Sequence, residues 1–345
     1  MTLHVLVVGD PYMPVSAYAA ALAGIRGRVE LSTMQIAQVT CAPPVTESER
    51  RLREYVGDPA EMVRAVAGHD VLIVHGAAVT AEVLGAAPLR LVCCARGGPV
   101  NVDVAAATDR GIPVVNTPGK NAEAVAELTI AFALLLIRAV PRASRHLLEG
   151  GGFAESVFQG REFFGAEAPS LTMGLVGLGH VGRQVAWRAR AIGFTVLGYD
   201  PAPPADPGVE LVSLGKLLAR SDIISLHARL TPENGRMFSR DLFARMRRGA
   251  YFINTAREAL VDEAALRQAL EQGVLGGAAL DVLERTPGRH PLLGLPNVFV
   301  TPHIGGATAE TLARGAQRAV AAVTDLLAGR VPANVVNPQA LQGTR

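Results

Sequence analysis

Short runs of β-branched residues and leucine alternate along the whole chain with stretches whose apolar residues recur every three to four positions. The runs at residues 3–8, 71–75, 91–94 and 112–115 read as buried strands, and residues 16–23, 58–67 and 103–108 read as helices between them. The turn Asn116-Thr117-Pro118-Gly119 ends this series. A long helical pattern follows from Asn121 to about Leu148, with Pro141 as its expected kink. A second series then begins, with strands near 172–176, 195–199, 223–226, 251–254, 278–280 and 298–300. One last helix, residues 308–327, comes too late to add a strand to that series and is expected to return to the first.

Composition narrows the partners. With 33 basic and 31 acidic residues the formal charge is only +2, and the basic residues are scattered, so a small-molecule partner is favoured over nucleic acid. Of the basic residues only Lys120 and Lys216 are lysine. The longest apolar run, around Ile130 to Ile137, falls far short of the roughly 20 residues that span a bilayer, so no membrane association is expected. Cys41, Cys93 and Cys94 are an odd set with an adjacent pair, which argues for a reducing compartment and cytoplasmic location. No residue set with metal-ligand spacing stands out.

Five strands of the second series end on Asp200, His227, Arg257, Asp281 and His303. In a doubly wound parallel sheet the strand ends face one crevice, where ligands bind. The first of these strand-to-helix turns reads Gly177-Leu178-Gly179-His180-Val181-Gly182, the dinucleotide fingerprint, and the next strand ends at Asp200. Gly177 suits the tight turn, Gly179 close approach to a pyrophosphate, and Gly182 close helix–strand packing. The helix N-terminus, with His180 and Val181 contributing backbone, supplies amide donors to phosphate. Asp200 would accept from the adenosine ribose hydroxyls and repel an added phosphate, so NAD is the expected cofactor. The fold class expected is α/β, with two Rossmann- or flavodoxin-like parallel-sheet domains and an active-site cleft between them. Residues 1–117 plus 308–345 would form the flavodoxin-like substrate domain and residues 118–307 the NAD-binding Rossmann domain.

The chain resembles the D-isomer-specific 2-hydroxyacid dehydrogenase family over nearly its whole length. The resemblance rests on Gly98-Pro99-Val100-Asn101-Val102-Asp103, Asn116-Thr117-Pro118-Gly119, the fingerprint, Asn254-Thr255-Ala256-Arg257, Gly277-Ala278-Ala279-Leu280-Asp281-Val282 and Thr301-Pro302-His303-Ile304-Gly305-Gly306. Members similar to 3-phosphoglycerate dehydrogenase often carry an added C-terminal regulatory domain, for which this sequence is too short. The resemblance implies an NAD-dependent oxidoreductase that interconverts a small D-2-hydroxy acid and its 2-oxo acid. Arg257 then suits the substrate carboxylate, because its planar fork can hold it in two parallel bonds. His303 suits proton exchange with the hydroxyl, because imidazole titrates near neutrality. By resemblance Asp281 would hold the nicotinamide carboxamide, Thr255 and Ala256 would line the cofactor, and His227 and Ala228 would lie near the adenine-side ribose. Backbone amides around His75 to Ala78 and Arg96-Gly97-Gly98 would help to hold the substrate, with Arg96 available to a second anionic group. The resemblance also implies a homodimer, with the 121–148 helix as candidate interface, and hinges near 117–120 and 305–307.

One departure is important. The family usually has a glutamate before the proline that follows Asp281, where it pairs with the catalytic histidine; here that position is Thr286. A carboxylate beside histidine favours imidazolium, and its loss would weaken proton donation to a keto acid most. Three readings stay open: a dehydrogenase in which Glu284 or Thr286 serves instead, a dehydrogenase of an unusual substrate, and a silent NAD-binding paralogue acting as scaffold or sensor.

Overall fold

The computed structural model describes residues 2–37, 43–152 and 161–342; Cys41 lies outside them. The chain folds as two compact units, Met1–Lys120 with Thr308–Arg345, and Asn121–Ala307.

The first unit is built on a parallel sheet of β1 (Leu3–Gly9), β2 (Val29–Gln35), β3 (Val71–Val74), β4 (Leu91–Cys94) and β5 (Val114–Val115), in the order β2-β1-β3-β4-β5. This 2-1-3-4-5 order is the flavodoxin-like one. Alternate residues of the central strands serve opposite faces. Val5, Val7, Val71, Ile73, Leu91 and Cys93 pack with Ala316, Ala319, Val320 and Val323 of the helix Ala309–Leu327. Leu6, Val8, Leu72, Val74, Val92 and Cys94 pack on the other side. That helix starts where Thr308 Oγ1 accepts from Thr311 N at 3.2 Å, and its small buried residues recur at helical spacing. β2 is absent from the strands expected from the sequence. It is an edge strand paired only with β1, and Glu30, Ser32, Thr33 and Gln35 keep it from reading as an apolar run.

The second unit holds β6 (Thr172–Val176), β7 (Thr195–Tyr199), β8 (Glu210–Leu211), β9 (Ile223–Leu226), β10 (Ala250–Asn254), β11 (Leu275–Leu280) and β12 (Val298–Val300). Their order is β12-β11-β10-β9-β6-β7-β8, all parallel, which is the doubly wound 3-2-1-4-5-6 order extended by one strand. The sequence led to six strands; β8 is a two-residue exposed edge without a period to read. One face buries Phe238, Phe243 and Phe252, whose ring centroids lie 4.9 to 5.8 Å apart. Each such side chain contributes about 1.5–3 kcal/mol. The expected long helix is two, Ala122–Ile137 and Val140–Leu148, bent by 67°. The break is at Ala139, in the left-handed region at φ 53°, and Pro141 sits in the first turn of the second helix, where its missing N–H is harmless. Among the described residues no single helix is long and apolar enough to cross a membrane.

Candidate active site

All strands of the second unit are parallel, so the residues that follow them gather at one edge of its sheet. After β6 the chain turns through Gly177 at φ 97°, where a Cβ would stand 2.7 Å from Ala228 N and from the His227 carbonyl carbon. A Cβ at Gly182 would lie 2.0 Å from Gly177 O, so neither position tolerates a side chain without moving backbone. Gly179 has open space where its Cβ would be, and it begins the helix His180–Ile192 with no side chain capping the first amides. An open, uncapped helix N-terminus behind a glycine cradle fits a dinucleotide pyrophosphate. His180 is exposed and Val181 half-buried.

Asp200 follows β7 and ties the cradle to its own turn. One carboxylate oxygen accepts from Leu178 N at 2.8 Å and the other from Ala202 N at 2.9 Å. A carboxylate accepts about four hydrogen bonds, so room for ribose hydroxyls remains. His227, after β9, contacts Ser225 Oγ through Nε2 at 2.9 Å, while its Nδ1 is sealed from water with no partner among the described residues. Burial pushes its pKa down, so the ring is neutral. An orphaned nitrogen behind the glycine turn is a further group that a bound nucleotide can satisfy. The adjoining Ala228 is half-buried.

After β10, Asn254 braces the loop from both ends of its amide: Nδ2 donates to Arg257 O at 2.9 Å and Oδ1 accepts from Ala256 N at 2.9 Å. Thr255, buried, shares a 3.1 Å hydrogen bond with Thr129. Arg257 is half-buried and donates from Nη1 to Ala256 O at 2.7 Å, so its fork is already oriented.

Asp281, 2 % exposed, builds the turn that carries His303. Its Oδ1 accepts from Thr301 Oγ1 at 2.5 Å and Ile304 N at 2.8 Å, its Oδ2 from Gly305 N at 2.7 Å, and its backbone O from His303 N at 2.9 Å. The result is His303 at φ 57°, a conformation that costs a non-glycine residue of order 1–3 kcal/mol and clusters at functional sites. The His303 side chain is exposed, and no described side chain hydrogen-bonds its ring. Thr286 is exposed as well. Glu284 pairs with Arg236 at 3.4 Å, and its amide donates to Glu263 at 2.9 Å. Glu263 also meets His290 Nε2 at 2.8 Å, so one half-buried carboxylate fixes both ends of the 284–290 loop. Neither Glu263 nor His290 was singled out by the sequence, because the contact spans 27 residues without a local motif.

The strand ends of the first unit form an edge of their own. Asp10, after β1, accepts from Tyr12 N, Met13 N, Gly76 N and His75 Nδ1 at 2.7 to 2.9 Å. Burial works to raise its pKa, but His75 and the amides outweigh it and hold the carboxyl below its ordinary value. Burial lowers the His75 pKa against the pull of Asp10, and the Tyr12 ring stacks on the imidazole at 5.0 Å. Arg96 Nη1 donates to Glu54 O at 2.6 Å and Nη2 pairs with the Glu54 carboxylate, so the guanidinium is engaged within the unit. Gly97 and Gly98 have open space around their Cα atoms, as close backbone approach requires. Asp10 could have been found by the strand-end rule that drew attention to Asp200. Among the described residues no cluster of His, Cys, Asp and Glu could hold a metal ion.

Residues 130–305, just over half of the chain, match the family described as D-isomer specific 2-hydroxyacid dehydrogenase, NAD binding domain. The chain belongs to that family. The matched residues lie within the second unit, Asn121–Ala307. A hydroxypyruvate reductase of Thermotoga maritima is 40% identical over 261 residues, covering 74% of this chain and 83% of that one. A D-3-phosphoglycerate dehydrogenase of Methanocaldococcus jannaschii is 37% identical over 316 residues, 87% of this chain. This chain spans only 59% of that relative's length. The crystal structure of the TT0316 protein from Thermus thermophilus superposes with a TM-score of 0.78 at 36% identity, covering 97% of this chain and 100% of that one.

Proposed function

We propose that the chain is an NAD-dependent oxidoreductase that interconverts a small D-2-hydroxy acid and its 2-oxo acid. The observation that carries this reading is the turn 301–305: a buried aspartate spends both carboxylate oxygens on holding an exposed histidine in a strained backbone conformation, at the same sheet edge as Arg257 and the glycine cradle. Arg257 holds the substrate carboxylate in its pre-oriented fork and so aligns C2. His303 takes the hydroxyl proton in oxidation and returns it to the keto oxygen in reduction. NAD, when bound, supplies the nicotinamide carbon that exchanges hydride with C2. Asp281 positions His303, and the lone pair left by its three donors is available to the nicotinamide carboxamide. Gly177 to Gly182 with Asp200 hold the pyrophosphate and ribose; His227, Ala228, Thr255 and Ala256 line the nucleotide. Arg96, Gly97 and Gly98 serve the substrate, Arg96 by exchanging Glu54 for a ligand anion.

A second reading is a silent NAD-binding paralogue, and the observation in its favour is that no carboxylate pairs with the His303 ring among the described residues while Glu284 turns to Arg236. Nicotinamide absorbance against time, with glyoxylate, hydroxypyruvate and phosphohydroxypyruvate plus NADH, and their hydroxy acids plus NAD, separates the two. Turnover is expected; intact NADH binding without turnover on any of them would support the silent form.

The chain is further proposed to act as a homodimer through the helices Ala122–Ile137 and Val140–Leu148, whose Leu134, Val140, Leu147 and Leu148 side chains are exposed. Light scattering should return about twice the chain mass of 36.1 kDa, and a monomer at micromolar concentration would end this proposal.

A further inference from the structure

The first unit holds a cation for which the described residues provide no acceptor. Lys120 is 5 % exposed, and its Nζ is sealed from solvent with no hydrogen-bond partner among the described residues. Gly315 of the helix Ala309–Leu327 makes the space it occupies: a Cβ there would lie 3.1 Å from Lys120 Cδ and 3.4 Å from Nζ. The ammonium sits 5.9 Å from the centroid of the Tyr12 ring. The buried carboxylate of the neighbourhood, Asp10, is already taken by three amides and His75. Two more buried polar atoms of this unit, Thr117 Oγ1 and Tyr18 Oη, have no partner among the described residues. Thr117 donates its N–H to Arg96 O at 2.8 Å and accepts from Lys120 N at 3.3 Å, and Tyr18 and Lys120 both lie near the charged Asp10 and the neutral Cys94 thiol. Native interiors rarely leave such groups unmet, and a buried ammonium least of all.

We propose that Lys120 anchors an oxyanion subsite of the first unit, in which a carboxylate or phosphate oxygen of the small-molecule ligand reaches beneath Tyr12 and accepts from Nζ. Tyr12, 41 % exposed, is the group that moves aside. The assignment rests on the dehydrogenase reading for the class of ligand only. Lys120 is then a specificity residue of the first unit that selects ligands carrying an anionic group.

The groups facing Lys120 come from every neighbouring element: Asp10 after β1, His75 after β3, Cys94 and Arg96 at the end of β4, and Arg314, whose Nε donates to Lys120 O at 2.7 Å. Burial lowers the Lys120 pKa to about 8, with Arg96 adding to the shift and Cys94 and Asp10 opposing it. Near pH 8 the free amine is therefore about half protonated, and an arriving anion draws a proton onto it.

The test is calorimetric titration of the full chain, without nucleotide, with malonate and with inorganic phosphate at pH 8 in two buffers of different ionisation heat. The two ligands distinguish a carboxylate from a phosphate source. Wild type should bind at least one with net uptake of roughly half a proton, following from a group titrating near the working pH. Lys120→Met should weaken that binding at least tenfold and abolish the uptake, whereas Lys120→Arg should bind without uptake. Free Lys120→Met should also melt above wild type, since an apolar side chain replaces an unpaired buried charge. Equal affinity in wild type and Lys120→Met, or no binding of either anion, would overturn the subsite. Loss of the subsite with turnover intact leaves the dehydrogenase reading standing; binding intact without turnover sinks only that reading.

Discussion

The two sheet edges solve opposite problems. At the edge of the second unit the carboxylates hold the turns and keep capacity to spare: Asp200 accepts from Leu178 and Ala202, Asp281 from Ile304, Gly305 and Thr301. What else stays unspent there is the exposed His303 ring, the open space over Gly179 and a buried but neutral nitrogen, His227 Nδ1. At the edge of the first unit Asp10 is saturated by four donors, and the unspent group is a buried cation, Lys120. A rigid scaffold that displays a reactive group is suited to chemistry; a buried charge without a partner is suited to selecting what binds. The difference teaches that satisfied polar groups mark the supports of a site, and unsatisfied ones mark where a ligand is due.

The comparison breaks most visibly at His303. His303→Ala should lower kcat by about 10²–10⁴-fold, the range for loss of a general acid–base, with little change in melting temperature, because the exposed ring supports nothing. Asp281→Ala should separate support from chemistry: it removes three hydrogen bonds that hold the turn, so a loss of about 1–3 kcal/mol in stability should accompany a fall in kcat. Denaturant titration and steady-state kinetics on both variants check this. Turnover unaffected by His303→Ala would remove the histidine from the mechanism, and an Asp281→Ala protein as stable as wild type would remove the aspartate from its supporting role.

Much of the second unit was legible because its signals are local. The fingerprint, Asp200 and the 301–306 turn each lie within a few residues of a strand end, and strand ends can be read from apolar runs. The first unit was legible in its central strands and hidden elsewhere. β2 carries polar residues because an edge strand need bury only one side, so no run marks it. Lys120 reads in sequence as an ordinary loop lysine; its burial is caused by Gly315, 195 positions away, and nothing near it announces that. The helix break at Ala139 was assigned to Pro141 because proline is the visible breaker, yet the residue in the left-handed region is an alanine. Thr286 was recognised as a departure, but that Glu284 would be held by Arg236 and Glu263 depended on contacts 48 and 21 positions distant.

The smallest expected effect is on the acid side of the stability profile, and it sharpens the contrast between the edges. His75 has its pKa lowered by burial, so below about pH 6.5 the unfolded chain takes up a proton that the folded chain refuses, and stability falls as pH drops. Asp10 keeps its charge below the ordinary carboxylate range, so its stabilisation is present above about pH 4 and is lost as pH falls through the folded value. The first unit should therefore weaken in two steps on acidification, the earlier owed to the histidine and the later to the aspartate. One differential proton corresponds to about 1.4 kcal/mol per pH unit, which sets the ceiling on each slope. Calorimetric melting from pH 7.5 to 3 should show His75→Asn flattening the profile as pH falls below about 6.5, and Asp10→Asn flattening it below about pH 4. Asp10→Asn should leave the earlier step in place, because His75 then loses the one partner that raises its pKa and is held neutral still more strongly. A His75→Asn profile parallel to wild type just below about pH 6.5 would mean that the imidazole is not kept neutral by the fold, and the Asp10–His75 pair would then be an ordinary ion pair rather than a buried hydrogen bond.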